Sequence, residues 1–545
     1  MFSPSDAYQH AYCVPNSQEC EDNYLPQPRI QFADRYGGYG VGYCGGSARC
    51  GIYGDVQTKG VGLTPLVGGR PGVALDPWHS SGTVTMNEAG REAIWSEITA
   101  TALPFGAIPA LAIVLTGTRC LRTDGAPGVQ VLNRRALLMR AVAFRPAHFM
   151  RNVYFKTVLK SGASVCEDTI RVRQMVRSLP TVFEDVYGGG VSGNSATATV
   201  SSGLTLMARR FAGQVAAAFA KRLYHGSLAC SNIALDGRYM DFGTMTTVNA
   251  YRRQAGSPLW PDQWSQHTPL LRTLSYFLFH VDKHLDCPDI RALVSAIELT
   301  SEFNEALSRR SEIELLKQTG LPEQVISDYD PVSRRRAHRC FVAIYMRGAD
   351  TSFVWRGDDD PSMIGVRPLQ CLGRYDLNQI LTQAAQCSDA VQLRRMVDEL
   401  IDDTALATEF HAVYLHLLEW YLSTQPGMDT SVARRFLARQ AARLNADVSH
   451  LTREALDAAM VGFEQDPGGL GGYIDNTIRV ARQILDDAPP ALVGFSGQPI
   501  QGLSAQLDAL KQMEKHEALA LLAASPLECL TTETNAKLRE LCATA

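Results

Sequence analysis

In the segment HGSLACSNIALDGRYMDFG (225–243), a short turn separates Asn232 from the tripeptide Asp241-Phe242-Gly243. Both Asn232 and Asp241 offer hard oxygen atoms, the donor type that Mg2+ or Mn2+ prefers, and an Asn and an Asp brought to one end of a hairpin can hold a divalent ion against nucleotide phosphates. The residues between them fit that geometry. Ile233, Leu235, Tyr239 and Met240 are strand formers, and Asp236-Gly237 is a tight-turn dipeptide, so a strand hairpin is predicted with its two ligands side by side.

A phosphate site needs cations and close backbone approach as well, and both stand upstream in YGGYGVGYCGGSARCGIYGDVQTKGVGLTPL (36–66). Glycine lets backbone amides reach phosphate, and Lys59, followed by Gly60 and Gly62, is placed to neutralise its charge. Next comes NEAGREAIWSEITATA (87–102), where Ala89, Ala93, Ile94 and Ile98 recur at helical spacing. Glu92 or Glu97 on that helix can pair with Lys59, whereas Glu88 reads as a favourable charge at the helix start. Glycine-rich strands, Lys, helix Glu, His-Gly…Asn and Asp-Phe-Gly follow the part order of a protein-kinase-like fold. No His-Arg-Asp loop and no Ala-Pro-Glu follow in their usual places.

Four blocks carry a resemblance to the selenoprotein O family, the pseudokinase-like protein adenylyltransferases. YGGYGVGYCGGSAR (36–49) is similar to that family's Tyr-Ala-Gly-His-Gln-Phe-Gly and Gly-Asp-Gly-Arg-Ala. VQTKGVGLTPL (56–66) resembles its Leu-Gln-Leu-Lys-Gly-Ala-Gly-x-Thr-Pro-Tyr, and GREAIWSEITATALPFGAIPALAIV (90–114) resembles its Arg-Glu-Phe-Leu-x-Ser-Glu-Ala helix with the Gly-Ile-Pro-Thr-Thr that follows. The fourth block is 225–243 itself, similar to His-Gly-Val-Met-Asn-Thr-Asp-Asn followed by Asp-Tyr-Gly. Together they span roughly the first half of the chain.

The resemblance implies that Lys59 contacts phosphate, that Glu92 pairs with Lys59, and that Asn232 and Asp241 bind the metal. It places Gly45, Gly46, Arg49 and Gly60 around the nucleotide, and Arg151 in RPAHFMRNVYF on the phosphates. Arg145, one place off register, and Arg140 are the alternatives for a second phosphate Arg. The implied cofactors are ATP with Mg2+ or Mn2+, and the implied reaction passes AMP to a hydroxyl of a protein or peptide. The chain departs from the family at the base: Ser231 stands where the family has Asp, and Ala229 where it has Asn. A serine hydroxyl stays protonated near neutral pH and cannot replace a carboxylate as general base. His225 and Asp236 are the nearest other candidates in sequence, although a His before Gly in such a loop reads as a structural hydrogen-bonding residue.

The chain has 545 residues, too many for one simple core; 46% are hydrophobic and 20% charged, which are globular values. A formal net charge of -4 argues against a dedicated nucleic-acid binder. The Arg334-Arg335-Arg336 run is expected to be a solvated face. The N-terminus lacks a basic start followed by an apolar run, and the most apolar stretch, 103–115, is broken by Pro104 and Pro109 and falls short of the roughly 20 residues that span a bilayer. No membrane partner and a cytoplasmic setting are expected. The 13 cysteines are scattered without any C-x-x-C, which fits reduced thiols. Cys13 with Cys20 and Cys44 with Cys50 lack the compact, matched spacing of a zinc site. Cys542 lacks the partner that a terminal redox motif of the family would require.

The expected fold is α+β: a protein-kinase-like bilobal arrangement with an added helical C-terminal region. An N-terminal extension covers 1–30, a small lobe 31–160, a large lobe carrying the metal hairpin 161–370, and the helical region 371–545. A strong helix is expected over 205–224, entering the hairpin, after a loop at 188–202. Val391, Leu393, Met396, Val397, Leu400 and Ile401 form one apolar helical stripe; Val413, Leu417, Trp420 and Tyr421 form another. Gly468, Gly469, Gly471 and Gly472 read as a loop. Beside the AMP transferase stand two alternatives: a catalytically weak nucleotide-binding scaffold, and an ATP-using maturation factor for a microcin-like peptide.

Overall fold

A computed structural model describes residues 31–38, 41, 44–68, 82–123, 130–153, 155, 165–191, 193, 195–248, 263, 265–285, 294–348, 375–424 and 430–486; the expected extension 1–30, Cys13, Cys20 and Cys542 lie outside them. The architecture is α+β, a six-stranded antiparallel sheet near the N-terminus followed by many helices.

Strands β1 (Phe32–Arg35), β2 (Gly46–Tyr53) and β3 (Val56–Lys59) form a meander, and β3 then pairs with β6 (Gln130–Ala141). Short β4 (Val84–Thr85) shares that edge of β6, while long β5 (Ala110–Thr123) takes the other. The unbroken apolar run Ala136, Leu137, Leu138, Met139 explains why β6 is central, since a strand covered on both faces carries no polar alternation.

Helix α1 (Met86–Ala102) follows β4 directly, with the Thr85 hydroxyl accepting from the Glu88 amide as N-cap. Ile94, Trp95 and Ile98 are fully buried, and so, nearly, are Glu88 and Glu92. A helix buried all round has neighbours on every side; here these are the sheet, the helical body and the C-terminal helices. After a 3-10 turn at Pro146–Phe149 come α2 (Val165–Arg177), α3 (Leu179–Tyr187) and the 25-residue α4 (Ala196–Ala220). The Ser195 side chain accepts from the Ala198 amide and starts α4 there, so much of the expected loop at 188–202 is helix.

The predicted metal hairpin is tighter than expected. Strands β7 (Leu223–Tyr224) and β8 (Thr246–Thr247) close its base, but between Asn232 and Asp241 only one bridge forms, Ile233 to Tyr239, around the turn at Gly237 (φ 93°). Helices α5 (Thr268–His284), α6 (Ala296–Lys317), α7 (Glu323–Ser327), α8 (Pro331–Gly348), α9 (Leu377–Gln386), α10 (Ala390–Leu400), α11 (Thr404–Ser423) and α12 (Thr430–Leu444) follow. Both expected stripes are largely buried, in a core shared by α7 to α12, although Val391 is 71% exposed. Arg334 is no solvated charge: it is buried with its Nε 3.0 Å from Glu312, while Arg336 lies outside on Glu409 at 2.7 Å.

The chain then returns to the sheet. Helix α13 (Arg453–Met460) and helix α14 (Leu470–Leu485) share one core with α1, α4 and β6. Gly471 and Gly472 lie in the first turn of α14 and not in a loop. The helices after 371 therefore divide between two cores.

Candidate functional site

Lys59 ends β3 opposite Leu138 of β6, and its ammonium group, 2% exposed, meets three carboxylates. It donates to Glu92, to Asp241 at 2.7 Å, and lies 3.3 Å from Glu88. Glu88 and Glu92 are one turn apart on α1, so the helix turns both toward the same cation. Arg49 of β2 donates to Glu88 at 2.7 Å and to the Thr83 carbonyl at 2.8 Å. On the far side of Glu92, Arg140 of β6 lies at 3.4 Å and donates to Gln57 at 2.6 Å.

Gln57 continues the network to Asp34, which accepts from Arg145 and lies 3.0 Å from His148 Nε2. His148 Nδ1 accepts from the Arg145 amide, so the imidazole is neutral with its proton on Nε2, directed at Asp34. Burial pushes the His148 pKa down, in keeping with that tautomer. Arg49, Lys59, Arg140 and Arg145 thus face Asp34, Glu88, Glu92 and Asp241, four cations against four carboxylates.

The balance sets the protonation states. Burial opposes the charge on Lys59, but Asp241 and Glu92 more than offset it and raise its pKa. Burial likewise opposes the charge on Asp241, yet Lys59 and Arg140 hold its carboxyl well below the usual range. Glu92 is pushed up by burial, with Lys59 pulling the other way. Asp34 is held low against its burial by Arg145 and His148.

Asp241 is the member of this set that reaches the surface, its side chain 32% exposed beside the 2% of Lys59. Its backbone is left-handed (φ 62°, ψ 67°), one of two non-glycine residues with positive φ among those described; such a conformation costs about 1–3 kcal/mol and persists only where packing enforces it. His225 packs against the chain on either side of Asp241. The buried imidazole donates from Nε2 to the Met240 carbonyl at 3.0 Å, and its ring lies 5.2 Å from Tyr239 and 5.8 Å from Phe242. Burial pushes the His225 pKa down to about 4. Neither sequence candidate for the base is placed to act as one: His225 is sealed in the core, and Asp236 binds its turn neighbour Arg238 at 2.6 Å.

Asn232 sits directly across from Asp241's neighbour, its carbonyl accepting from the Met240 amide at 3.1 Å. Its Nδ2 donates to the Ser227 carbonyl at 2.8 Å, which fixes the amide orientation, and its Oδ1 accepts from Ser231 Oγ at 3.1 Å. Two such oxygens suit Mg2+, which keeps most of its shell for water and phosphate. Among the described residues, no group of three His, Cys, Asp or Glu side chains gathers to hold a metal by itself.

The glycine-rich segment closes one side. Gly38 has φ 101°, and a Cβ there would fall 2.6 Å from Met150 Sδ and 2.8 Å from Cys230 Sγ, so only glycine allows this approach. Gly45 donates to the Leu66 carbonyl at 2.8 Å, Gly46 opens β2, and Gly60 donates to the Arg49 carbonyl at 2.8 Å just after Lys59. Arg145 also donates to the Ser231 carbonyl at 3.0 Å, tying the connection after β6 to the hairpin. Arg151 follows the 3-10 turn; its Nε and that of Arg145 are buried with no hydrogen-bond partner among the described residues. The alternative partner for Lys59, Glu97, lies elsewhere, 2.9 Å from Arg482.

Of the residues that the sequence singled out, the fold brings Lys59, Glu92 and Asp241 into contact and sets Asn232 against the residue before Asp241; the part that Glu88, Asp34 and Gln57 take in the network was missed. The i, i+4 spacing of Glu88 and Glu92 was an available signal for the first. No protein-family model and no curated protein matches the chain.

Proposed function

We propose that this chain is an ATP-dependent nucleotidyltransferase of protein-kinase-like, bilobal architecture that passes AMP to a hydroxyl of a protein or peptide. The observation that carries the reading is the convergence of Lys59, Glu92 and Asp241, with Asn232 hydrogen-bonded to the backbone next to Asp241. Lys59 and Arg49 would bind phosphate, and Asn232 and Asp241 would hold Mg2+ or Mn2+, which neutralises charge gathering on the phosphates.

Transfer of AMP, and not of the terminal phosphate, rests on the resemblance to the selenoprotein O family. In the transfer, the acceptor oxygen bonds to the α-phosphorus as the bond to the pyrophosphate oxygen breaks, and the hydroxyl proton leaves to a base. Ser231 offers no carboxylate for that proton, which favours, as a second reading, a nucleotide-binding scaffold with weak catalysis.

ATP labelled at the α or the γ position decides between them. Label reaching the protein or a lysate acceptor only from the α position, faster with Ser231→Asp and absent with Asn232→Ala, supports the transferase. Transfer of γ label would make the chain a kinase, and tight ATP binding with no transfer in either form would leave the scaffold.

A further inference from the structure

The helix that carries Glu92 is gripped from behind by a segment remote in sequence. On the side of α1 away from the cleft, Glu97 pairs with Arg482 of α14 at 2.9 Å, and Thr101 donates to Asp486 at 2.7 Å. Nearer the cleft, Arg91, next to Glu92, donates to Asp457 of α13. Just before Arg91, Gly90 lets Met460 close in: a Cβ there would lie 2.8 Å from its Sδ. Leu456, Met460, Ile478 and Ala481 share the apolar core of Ile94, Trp95 and Ile98.

The same segment is fastened to the hairpin that carries Asp241. Thr247 of β8 donates to the Val448 carbonyl at 2.8 Å, Thr246 accepts from the Arg453 amide at 3.1 Å, and Arg222 donates to the carbonyls of Leu444 and Ala446 at 3.1 and 2.9 Å. Lys221 donates to the Leu485 carbonyl. It reaches the sheet as well, where the Arg134 amide donates to Glu464 at 2.7 Å and Arg119 to the Glu464 carbonyl at 2.9 Å.

A segment fixed both to α1 and to the hairpin holds constant the separation between Glu92 and Asp241, the two carboxylates that Lys59 must reach together. We propose that residues 444–486 form an intrachain clamp that positions Glu92 for Lys59, with Asp457 and Arg482 as positioning residues. The site is then assembled by the chain itself, without an activating partner. The consequence for ATP rests on the nucleotide-site reading; the consequence for Lys59 does not.

The test reverses both ties in the full chain with Asp457→Arg and Arg482→Glu, then restores them with Arg91→Asp and Glu97→Arg. Two quantities are read: the rate at which an amine-reactive acetylating reagent modifies Lys59, and the affinity for ATP with Mg2+. Slow amide exchange in α9, which lies in the other core, reports that each variant is folded. With one exposed and one partly buried pair reversed, Lys59 modification is expected to quicken and ATP affinity to fall, each by about tenfold, and the restored protein to return near wild type. Unchanged Lys59 reactivity in the folded reversal variant, or no recovery on restoration, overturns the clamp. Faster Lys59 modification with unchanged ATP affinity overturns its bearing on the site. Should the wild-type protein bind no ATP while Lys59 reactivity follows the clamp, the nucleotide reading falls and the clamp stands.

Discussion

Lys59 and Asp241, 182 residues apart in the chain, meet at 2.7 Å, and the same ammonium group serves Glu92 and Glu88. Removing Asp241 therefore does not orphan Lys59, whereas it does remove the one partly exposed carboxylate of the network. Asp241 is thus the carboxylate whose loss leaves the pairs of Lys59 with Glu92 and Glu88 in place.

Asp241→Asn is the informative variant, because asparagine tolerates the left-handed backbone that alanine does not. It is expected to fold but to lose some stability with its pair to Lys59 and, on the proposed nucleotide reading, to lose at least about tenfold in magnesium-dependent ATP affinity. Calorimetry with ATP, with and without Mg2+, measures this. Equal magnesium dependence in the folded variant would remove Asp241 from the site.

Glu88 and Glu97 lie on the same helix and give opposite expectations. The Glu88 side chain is 5% exposed and braces both Arg49 and Lys59, so Glu88→Gln leaves buried cations short of a counter-charge and should cost about 3 kcal/mol. The Glu97 side chain is 42% exposed, and Glu97→Gln should cost no more than about 1 kcal/mol. Urea unfolding of the two variants compares them directly, and equal losses would contradict the network.

What the sequence disclosed follows from how local each signal was. Lys59, Glu92 and Asp241 each sit in a short pattern of glycines, helical spacing or a tripeptide, so their convergence was legible once the order of the patterns was read. The pairing of Asp34 with Arg145 was not, because Asp34 stands in no distinctive pattern that would mark it as a partner for the Arg. The helix opening at Ser195 was hidden by the Gly, Ser and Thr around it, whose low helix propensity is overridden by the burial of α4. The return of α14 to α1 was invisible as well: Arg482 and Glu97 are 385 residues apart. Periodicity marks which face of a helix is buried and not what buries it.

The last expectation concerns pH. His225 is buried and neutral, its pKa brought down to about 4 from the ordinary 6.5 by loss of solvation. Above pH 6.5 neither the folded nor the unfolded chain protonates it, and it has no effect on stability. Between 6.5 and 4 the unfolded chain takes up a proton that the folded chain refuses, so the folded state loses ground as pH falls, by about 2 kcal/mol at pH 5 and about 3 kcal/mol by pH 4. Other buried histidines, His148 and His280 among them, are shifted the same way, so the wild-type slope alone does not isolate one residue. His225→Gln does: the amide still donates to the Met240 carbonyl but does not titrate. Urea unfolding at pH 7 and pH 5 should show the wild type losing about 2 kcal/mol more than the variant over that interval. Equal losses would mean that His225 is charged in the folded protein at pH 5 despite its burial, which leaves Nδ1 without a hydrogen-bond partner among the described residues.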